Sequence, residues 1–290
     1  MNNVFLCGVI LFFACGKPIA QEVIRDDLFT EGEIQGKVNN QLSEASGLVA
    51  SVNNIGYFWA HNDSGNPAQI FLIDQNAKIK LVCKFNRIKN RDWEDIAIGA
   101  GPQEGKNYIY VGDIGDNDAQ YPLKLIYRFE EPLLMTEKEI IIADYDTLIL
   151  KLPDGARDAE ALMIDPNSQD MFLVSKREDS VRLYQMDYLF QQDTFLTQRI
   201  AILPFHNINA ADISADGSEV LMKDYDNIFY WKKEEDESIR ELLMRVPLQL
   251  PYKKGRQDEA IAWKRDGSGF YTLGETVSGE KGKLVYHKRK

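Results

Sequence analysis

The chain has 290 residues, of which 44% are hydrophobic, and its 45 acids and 34 bases give a net charge of −11. This length and hydrophobic share are enough for a large buried core, which excludes a mainly disordered chain. The excess of acids argues against a nucleic-acid or anionic-membrane surface, because such a partner would repel a protein without a basic patch.

The first twenty residues predict an export signal. The apolar run "VFLCGVILFFA" has the length of a signal-peptide core and is too short to span a bilayer. Two cleavage points compete: one before Cys15, in a context that resembles the lipidation box of bacterial lipoproteins, and one after Ala20. We therefore expect residues 1–20 to be a signal, residues 21–290 to be the mature domain, and the protein to be an exported cell-envelope lipoprotein or a periplasmic or secreted protein.

The mature chain repeats one pattern five times. Each passage has an acid followed by small and apolar residues, a polar turn, an apolar strand, a second turn and another strand, as in "DWEDIAIGAGPQEGKNYIYVGDIGDN". The intervals are roughly 50 residues, which is the range of propeller repeats. The opening acids are Glu44, Glu94, Glu160, Asp212 and Glu259.

Repeats of this length that hold several short strands are typical of a β-propeller, in which blades surround a central channel. Strands such as "YIYVGD", "MFLVSK" and "IFYW" are aromatic or apolar and are bounded by polar turns. We expect an all-β fold, a single β-propeller with six blades, or with five. Residues 21–42, or the long interval between Glu94 and Glu160, would supply a sixth blade.

The opening acids allow two roles. The first strand of each propeller blade lines the channel, so the five carboxylates would surround one axis and would stay ionised only if a cation or hydrogen bonds compensated them. Oxygen ligands favour Ca²⁺ over zinc, which prefers histidine and cysteine. Alternatively, each acid caps backbone N–H groups and fastens neighbouring blades.

The stretch "HNDSG" places several polar groups at a predicted strand end. His61 is the candidate catalytic residue, a general base at the channel mouth, because imidazole titrates near neutrality. An Asx turn uses the same residue types for backbone reasons alone.

The stretch "GDIGDN" predicts a loop tip that carries oxygen donors. Its composition fits a calcium loop or a rigid turn equally. The candidate metal ligands are Glu44, Asp63, Asp113, Asp116 and Asn117. The stretch 252–256, "YKKGR", contains three basic residues and precedes the Glu259 repeat, so it would either favour an anionic ligand or form an exposed loop. No G-x-S-x-G motif occurs, which disfavours a serine hydrolase.

The passages "ASGLVAS", "FWAHNDSGNPAQIFLID", "DWEDIAIG", "IYVGDIGDN" and "DAEALMID" resemble, in this order, a family of exported bacterial β-propellers whose role is poorly defined. More distantly, the chain is similar to the phytase-like esterases and to the gluconolactonase and regucalcin propellers. In those enzymes a glutamate of the first blade helps to hold a catalytic divalent cation. The resemblance therefore implies this role for Glu44.

Two functions follow as hypotheses, and they leave open whether the protein is an enzyme. In the first, an exported propeller binds a divalent cation, Ca²⁺, in its channel and hydrolyses an ester, lactone or phosphoester by metal-activated water. In the second, a non-catalytic module of the cell envelope binds or scaffolds a partner. We expect a monomer with a small-molecule, glycan or protein ligand at one face, no nucleic-acid partner, and membrane contact only through an N-terminal lipid.

Overall fold

The computed structural model describes residues 24–187 and 194–290. The predicted signal, residues 1–20, and the candidate lipidation site Cys15 lie outside the described residues. Within the described part of the chain, no helix is long and apolar enough to cross a membrane.

The described residues form an all-β propeller with five sheets. Two strands come first: β1 (Ile24–Arg25) and β2 (Glu33–Lys37). Blade 1 contains β3 (Ala45–Ala50), β4 (Tyr57–Asn62), β5 (Gln69–Asp74) and β6 (Ile79–Phe85). Blade 2 contains β7 (Trp93–Ala100), β8 (Asn107–Asp113) and β9 (Leu123–Glu130), and the next two strands along the chain are β10 (Glu139–Ile142) and β11 (Asp146–Lys151).

The second half of the chain continues in the same way. Blade 3 contains β12 (Ala159–Ile164), β13 (Met171–Ser175) and β14 (Val181–Met186), and the next strands are β15 (Thr194–Leu196) and β16 (Gln198–Leu203). Blade 4 contains β17 (Ala210–Ile213), β18 (Glu219–Lys223) and β19 (Ile228–Lys232), then helix α1 (Ile239–Leu243) and β20 (Leu248–Leu250). Blade 5 contains β21 (Asp258–Trp263), β22 (Gly269–Gly274) and β23 (Lys283–Lys288).

Several outer strands come from distant parts of the chain. Strand β2 pairs antiparallel with β23 and completes blade 5, so the N-terminal side of the described chain closes the ring. Strands β1, β10 and β15 add in parallel to the outer edges of blades 4, 1 and 2, next to β20, β6 and β11. Strand β16 completes blade 3 next to β14.

The ring has five blades, the smaller of the two numbers that the repeats allowed. The segments considered for a sixth blade form strands of the other blades instead. Residues 21–42 contribute β1 and β2, and the long interval between Glu94 and Glu160 contains β10, which extends blade 1. An extra edge strand adds residues between two repeats, and so would part of a sixth blade. Repeat length therefore does not distinguish five blades from six.

The first strand of each blade lines the channel. Strands β3, β7, β12, β17 and β21 contact one another in this cyclic order, and every residue of β3, β12 and β21 is buried. These strands are rich in alanine, as in "AEALMI" and "AADI", because small side chains allow five strands to approach one axis. Larger side chains fill the space between blades, for example Trp59, Trp93 and Phe129 between blades 1 and 2.

Candidate functional site

In four blades, the channel strand has a β-bulge near its first residue. The antiparallel ladder skips one residue in each of β3, β7, β12 and β21. Bulges re-aim a side chain at the end of a strand. The bulged residues are Ser46, Glu94, Glu160 and Glu259. Three of the four are acids, so the repeated sequence pattern becomes a set of carboxylates at one end of the channel.

We refer to the carboxylates that meet there as the acidic cluster. Its members are Asp63, Asp92, Glu94, Asp158, Glu160, Glu259 and Glu275. They form three overlapping groups, and within each group the carboxylate oxygens lie within 4.8 Å of one another: Asp63 with Asp92 and Glu94, Asp63 with Glu259 and Glu275, and Glu94 with Asp158 and Glu160. Asp63 and Glu94 each belong to two groups, so they are at the centre of the acidic cluster.

Basic side chains compensate only one side of the acidic cluster. Lys176 Nζ lies 2.7 Å from Glu160 Oε1, and Arg177 Nε lies 2.6 Å from Asp158 Oδ2. Within residues 24–187 and 194–290, no lysine or arginine forms an ion pair with the three carboxylates of the group Asp63, Asp92 and Glu94. Three acids without a counter-charge are costly to ionise in a mostly buried space.

The pKa values of the acidic cluster are displaced upward. Burial, followed by the charge of neighbouring acids, raises the pKa of Asp92 to about 6 and that of Glu275 to about 8. Burial raises the pKa of Glu160 to about 7, although Lys176 opposes the change. Burial and the neighbouring Glu160 raise the pKa of Glu94 well above its ordinary range. Without a cation, the acidic cluster therefore holds protons at neutral pH, and a bound divalent cation would replace them.

The donors of the acidic cluster suit a hard cation. Its members offer carboxylate oxygens, and none of them is a histidine or cysteine. Ca²⁺ accepts six to eight oxygen ligands in flexible geometry, whereas structural zinc sites use sulfur and nitrogen. The acidic cluster could thus hold a metal ion of the Ca²⁺ type.

The "GDIGDN" stretch packs against the acidic cluster. Gly115 is so close to it that a Cβ atom there would overlap Oε1 of Glu94 and Oδ2 of Asp92. Glycine is therefore required at this position for the two carboxylates to keep their places. The backbone N–H of Asp116 donates to Asp158 Oδ1 at 2.8 Å, which fastens the loop to the neighbouring blade.

The three candidate ligands in that stretch lie outside the three carboxylate groups. Asp113 Oδ1 accepts from Arg91 Nε at 3.0 Å, and Asp116 Oδ2 accepts from the buried Lys124 at 3.0 Å. Asn117 is exposed. The structure therefore gives this loop a positioning role, in which Asp113 and Asp116 are occupied by donors of the protein.

Three of the five opening acids belong to the acidic cluster, and two do not. Glu94, Glu160 and Glu259 belong to the acidic cluster, and Glu44 is exposed beside it and accepts from Asn66 Nδ2. Asp212 lies further along its strand, where its Oδ2 accepts from the backbone N–H of Trp263 at 2.8 Å.

Asp212 and Asp95 accept hydrogen bonds from the backbone of a neighbouring blade. The bond from Trp263 joins blade 4 to blade 5, and Asp95 Oδ2 joins blade 2 to blade 3 by accepting from Leu162 N at 2.9 Å. Burial raises the pKa of Asp212 to about 7. The structural role left open by the sequence is therefore carried by Asp212 and Asp95, whereas Glu94, Glu160 and Glu259 form a cluster that could hold a cation.

His61 lies in the core rather than at the channel mouth. The residue is on β4 and fully buried, with its ring edge-on to Trp93 at 5.7 Å and its Nδ1 3.0 Å from the carbonyl oxygen of Asn62. Burial lowers its pKa to about 4, so the ring is neutral. His61 is outside the acidic cluster, whereas Asp63, two residues later, is at its centre.

Four site residues were not singled out from the sequence: Asp92, Asp158, Lys176 and Glu275. Asp92 and Asp158 stand two residues before a bulged glutamate, so the D-x-E spacing in "DWED" and "DAEA" was the available signal. Lys176 and Glu275 follow the second strand of their blades, as Asp63 does. Only the shared blade geometry makes these last positions equivalent.

Comparisons with known proteins identify no family for this chain. No protein-family model matches the sequence, and no curated protein matches it. Solved structures of similar fold include a PQQ-bound aldose sugar dehydrogenase from Streptomyces coelicolor, at 10% identity and a TM-score of 0.48, covering 89% of this chain and 97% of that one. A gluconolactonase from Xanthomonas campestris matches at 11% identity and a TM-score of 0.43, covering 93% of this chain and 98% of that one.

A nidogen/laminin complex also contains a chain of similar fold, at 12% identity and a TM-score of 0.45, covering 79% of this chain and 72% of that one. A gluconolactonase is thus among the solved structures of similar fold. At these identities the likeness concerns the propeller fold alone.

Proposed function

We propose that this chain is an exported propeller that binds one Ca²⁺ ion in the acidic cluster and uses it to hydrolyse an ester, lactone or phosphoester. The observation that carries the proposal is the group Asp63, Asp92 and Glu94, whose carboxylate oxygens converge within 4.8 Å without a basic partner among the described residues. Uncompensated carboxylates so close together are stable as anions only with a cation.

The residues of the acidic cluster would have different roles according to their positions. Asp63, Asp92 and Glu94 would hold the cation, which when bound supplies Lewis-acid activation of water and of the substrate oxygen. Glu160 and Glu275 belong to the adjoining groups and would transfer protons to or from the substrate and the attacking water. Gly115 would keep two of the three ligands in place by its lack of a side chain.

The test combines metal analysis with an activity screen. Purified protein would be equilibrated with Ca²⁺, analysed by plasma mass spectrometry, and assayed with an aryl acetate, a six-membered lactone and an aryl phosphate. We expect one ion per chain and turnover of one substrate class, both lost in Glu94→Gln and kept in Glu104→Gln, a change of an exposed glutamate. A Glu94→Gln variant with full metal content and activity would contradict the proposal.

A second candidate function is a non-catalytic binding or scaffolding module. It is favoured by the hydrogen bonds that Asp95 and Asp212 accept from neighbouring blades, because in these bonds acids of the channel strands have a structural role. A stoichiometric cation that raises the melting temperature, in a protein inactive on all three substrates, would select this function. Absence of any bound cation would leave structure as the only role of the acidic cluster.

Export is proposed from the sequence of residues 1–20 alone. Labelling with a palmitate analogue should mark the wild-type protein and not Cys15→Ala if Cys15 carries the lipid. An unlabelled wild-type protein whose mature N-terminus is Gln21 would instead indicate cleavage after Ala20.

A further inference from the structure

A groove with basic walls lies on blade 5, beside the acidic cluster. It has a volume of about 260 Å³ and lies between residues 254–258, at the start of β21, and residues 275–283, at the turn from β22 to β23. We refer to it as the basic groove, after the four basic side chains that line it: Lys254, Arg256, Lys281 and Lys283. Glu275 also lines it and belongs to the acidic cluster, so the two features share a wall.

Both walls of the basic groove are held in place by blade 5. The buried Asp258 accepts from the backbone N–H of Gly255 and from Tyr252 Oη, both at 2.8 Å, through its Oδ2. These bonds hold the loop before β21 and compensate the charge of Asp258. On the facing wall, a Cβ atom at Gly282 would overlap the carbonyl oxygen of Gly274, so glycine lets this turn lie against β22.

Positive charge is in excess in the basic groove, although the whole chain has a net charge of −11. The exposed acid of its lining is Glu280, which lies 2.7 Å from Lys283 Nζ and 3.8 Å from Arg256 Nε. Lys281 forms no ion pair with any residue that the structure describes. One exposed carboxylate of the lining thus faces four basic side chains.

The ion pairs of the basic groove are weak enough to be exchanged for a ligand. The side chain of Arg256 is 62% exposed, and that of Lys254, which pairs with Asp226 of blade 4, is 63% exposed. Ion pairs between exposed side chains contribute little stability, because water screens them and ordering both side chains costs entropy. An oxyanion in the groove would accept from several bases at once, and lysine and arginine are the side chains that recognise phosphate and carboxylate groups.

We infer that the basic groove binds the anionic group of a substrate whose reacting bond lies at the acidic cluster. The inference rests on the proposed function for that bond and narrows the substrate to esters, lactones or phosphoesters that carry a separate phosphate or carboxylate group. Glu275, on the shared wall, marks where the two parts of the substrate would join. A groove of about 260 Å³ suits a small group of this kind rather than a polyanion.

The first test measures anion binding without a metal. Inorganic phosphate and succinate would be titrated calorimetrically, in metal-free buffer, into the wild type, Glu94→Gln, and the double variant Lys254→Gln with Arg256→Gln. We expect one anion per chain in the wild type and in Glu94→Gln, and about tenfold weaker binding in the double variant, because two charged contacts are lost. The anion that binds more tightly identifies the group as phosphate or carboxylate.

The matched control is Lys151→Gln with Lys232→Gln. Both lysines are exposed and lie outside the basic groove, so this double variant loses the same charge and should bind the anion like the wild type. Lys281→Glu, at an exposed residue of the facing wall, should also weaken binding about tenfold or more and serves if the first double variant does not fold. Equal affinity in the wild type and in the groove variants, or no binding of either anion, would overturn the inference.

The second test separates this inference from the proposed function. With Ca²⁺ present, an aryl hydrogen succinate should have a KM about tenfold lower than an aryl acetate, and Lys254→Gln with Arg256→Gln should lose this preference. Anion binding that depends on Lys254 and Arg256, in a protein that hydrolyses no ester, would support the basic groove and refute the proposed function. Hydrolysis without a preference for the anionic ester would refute the basic groove and leave the proposed function in place.

Discussion

The substitution Glu94→Gln should stabilise the metal-free protein and abolish most of its stabilisation by Ca²⁺. Without a cation, Glu94 must either hold a proton or ionise beside Glu160, Asp63 and Asp92. Glutamine has nearly the same shape and no charge, so it removes this cost. With Ca²⁺ present, the same change removes a ligand shared by two carboxylate groups.

The magnitude follows from the distances in the acidic cluster. A carboxyl group that stays protonated at about pH 8 costs about 5 kcal/mol relative to an unfolded group with its ordinary pKa of 4.5. Ionising it within 4.8 Å of one ionised neighbour costs at least about 3 kcal/mol at an effective dielectric constant of about 20, before the cost of burial is added. Burial adds to the cost of ionisation, and the total cannot exceed the cost of protonation, so metal-free Glu94→Gln should be about 3 to 5 kcal/mol more stable, a rise in melting temperature of roughly 5 to 10 °C.

The assay is thermal melting at about pH 8 in EDTA and in saturating Ca²⁺. Ca²⁺ at one hundred times its dissociation constant should stabilise the wild type by about 2.7 kcal/mol and the variant by much less. Glu104→Gln is the matched control, since Glu104 is exposed on the turn between β7 and β8 and should change neither melt. A Glu94→Gln variant that is less stable than the wild type in EDTA would refute the electrostatic reasoning.

Three further predictions concern the surroundings of the acidic cluster. Gly115→Ala should weaken Ca²⁺ binding about tenfold or more in calorimetry, because the added methyl group displaces the carboxylates of Glu94 and Asp92. Glu131→Ala should lower the free energy of unfolding by about 4 kcal/mol with no loss of bound Ca²⁺, since Glu131 lies outside the acidic cluster and pairs with Trp59 Nε1 at 2.9 Å and with three further donors. In metal-free protein, the melting temperature should fall as the pH rises from about 5 to about 8, because Glu160 and Glu275, whose pKa values are raised from 4.5 to about 7 and about 8, lose their stabilising protons over this range. Two buried histidines with pKa values lowered to about 4 oppose this trend between about pH 6.5 and pH 4, and Ca²⁺ should remove the loss of stability toward alkaline pH.

Each of these predictions has a contradicting result. Unchanged calorimetry in Gly115→Ala would mean that the loop does not position the ligands. Loss of bound Ca²⁺ in a folded Glu131→Ala protein would mean that the metal site lies elsewhere. A metal-free melting temperature that rises steadily from about pH 5 to about pH 8 would show that the acidic cluster is not holding protons.

Sequence reasoning identified some of the candidate site and missed the rest for a geometric reason. Glu94, Glu160 and Glu259 stood out because they recur at one point of each repeat, and that point is the bulge of the channel strand. Asp212 occupies a similar place in its repeat, but β17 has no bulge in its register, and the side chain instead fastens blade 5. A bulge depends on how a strand pairs with its neighbour, so repeat spacing does not reveal it.

The sequence by itself determined that this chain is an all-β propeller, because a strand pattern repeated every 50 residues or so buries its apolar faces only by packing blade against blade. The tertiary structure decided the number of blades, because β1, β2 and β10 join sheets far from them in sequence. It also decided which acids meet, because carboxylates from different blades converge only once the ring has closed. Charge repulsion in the acidic cluster is thus a property of the closed propeller, and of no single repeat.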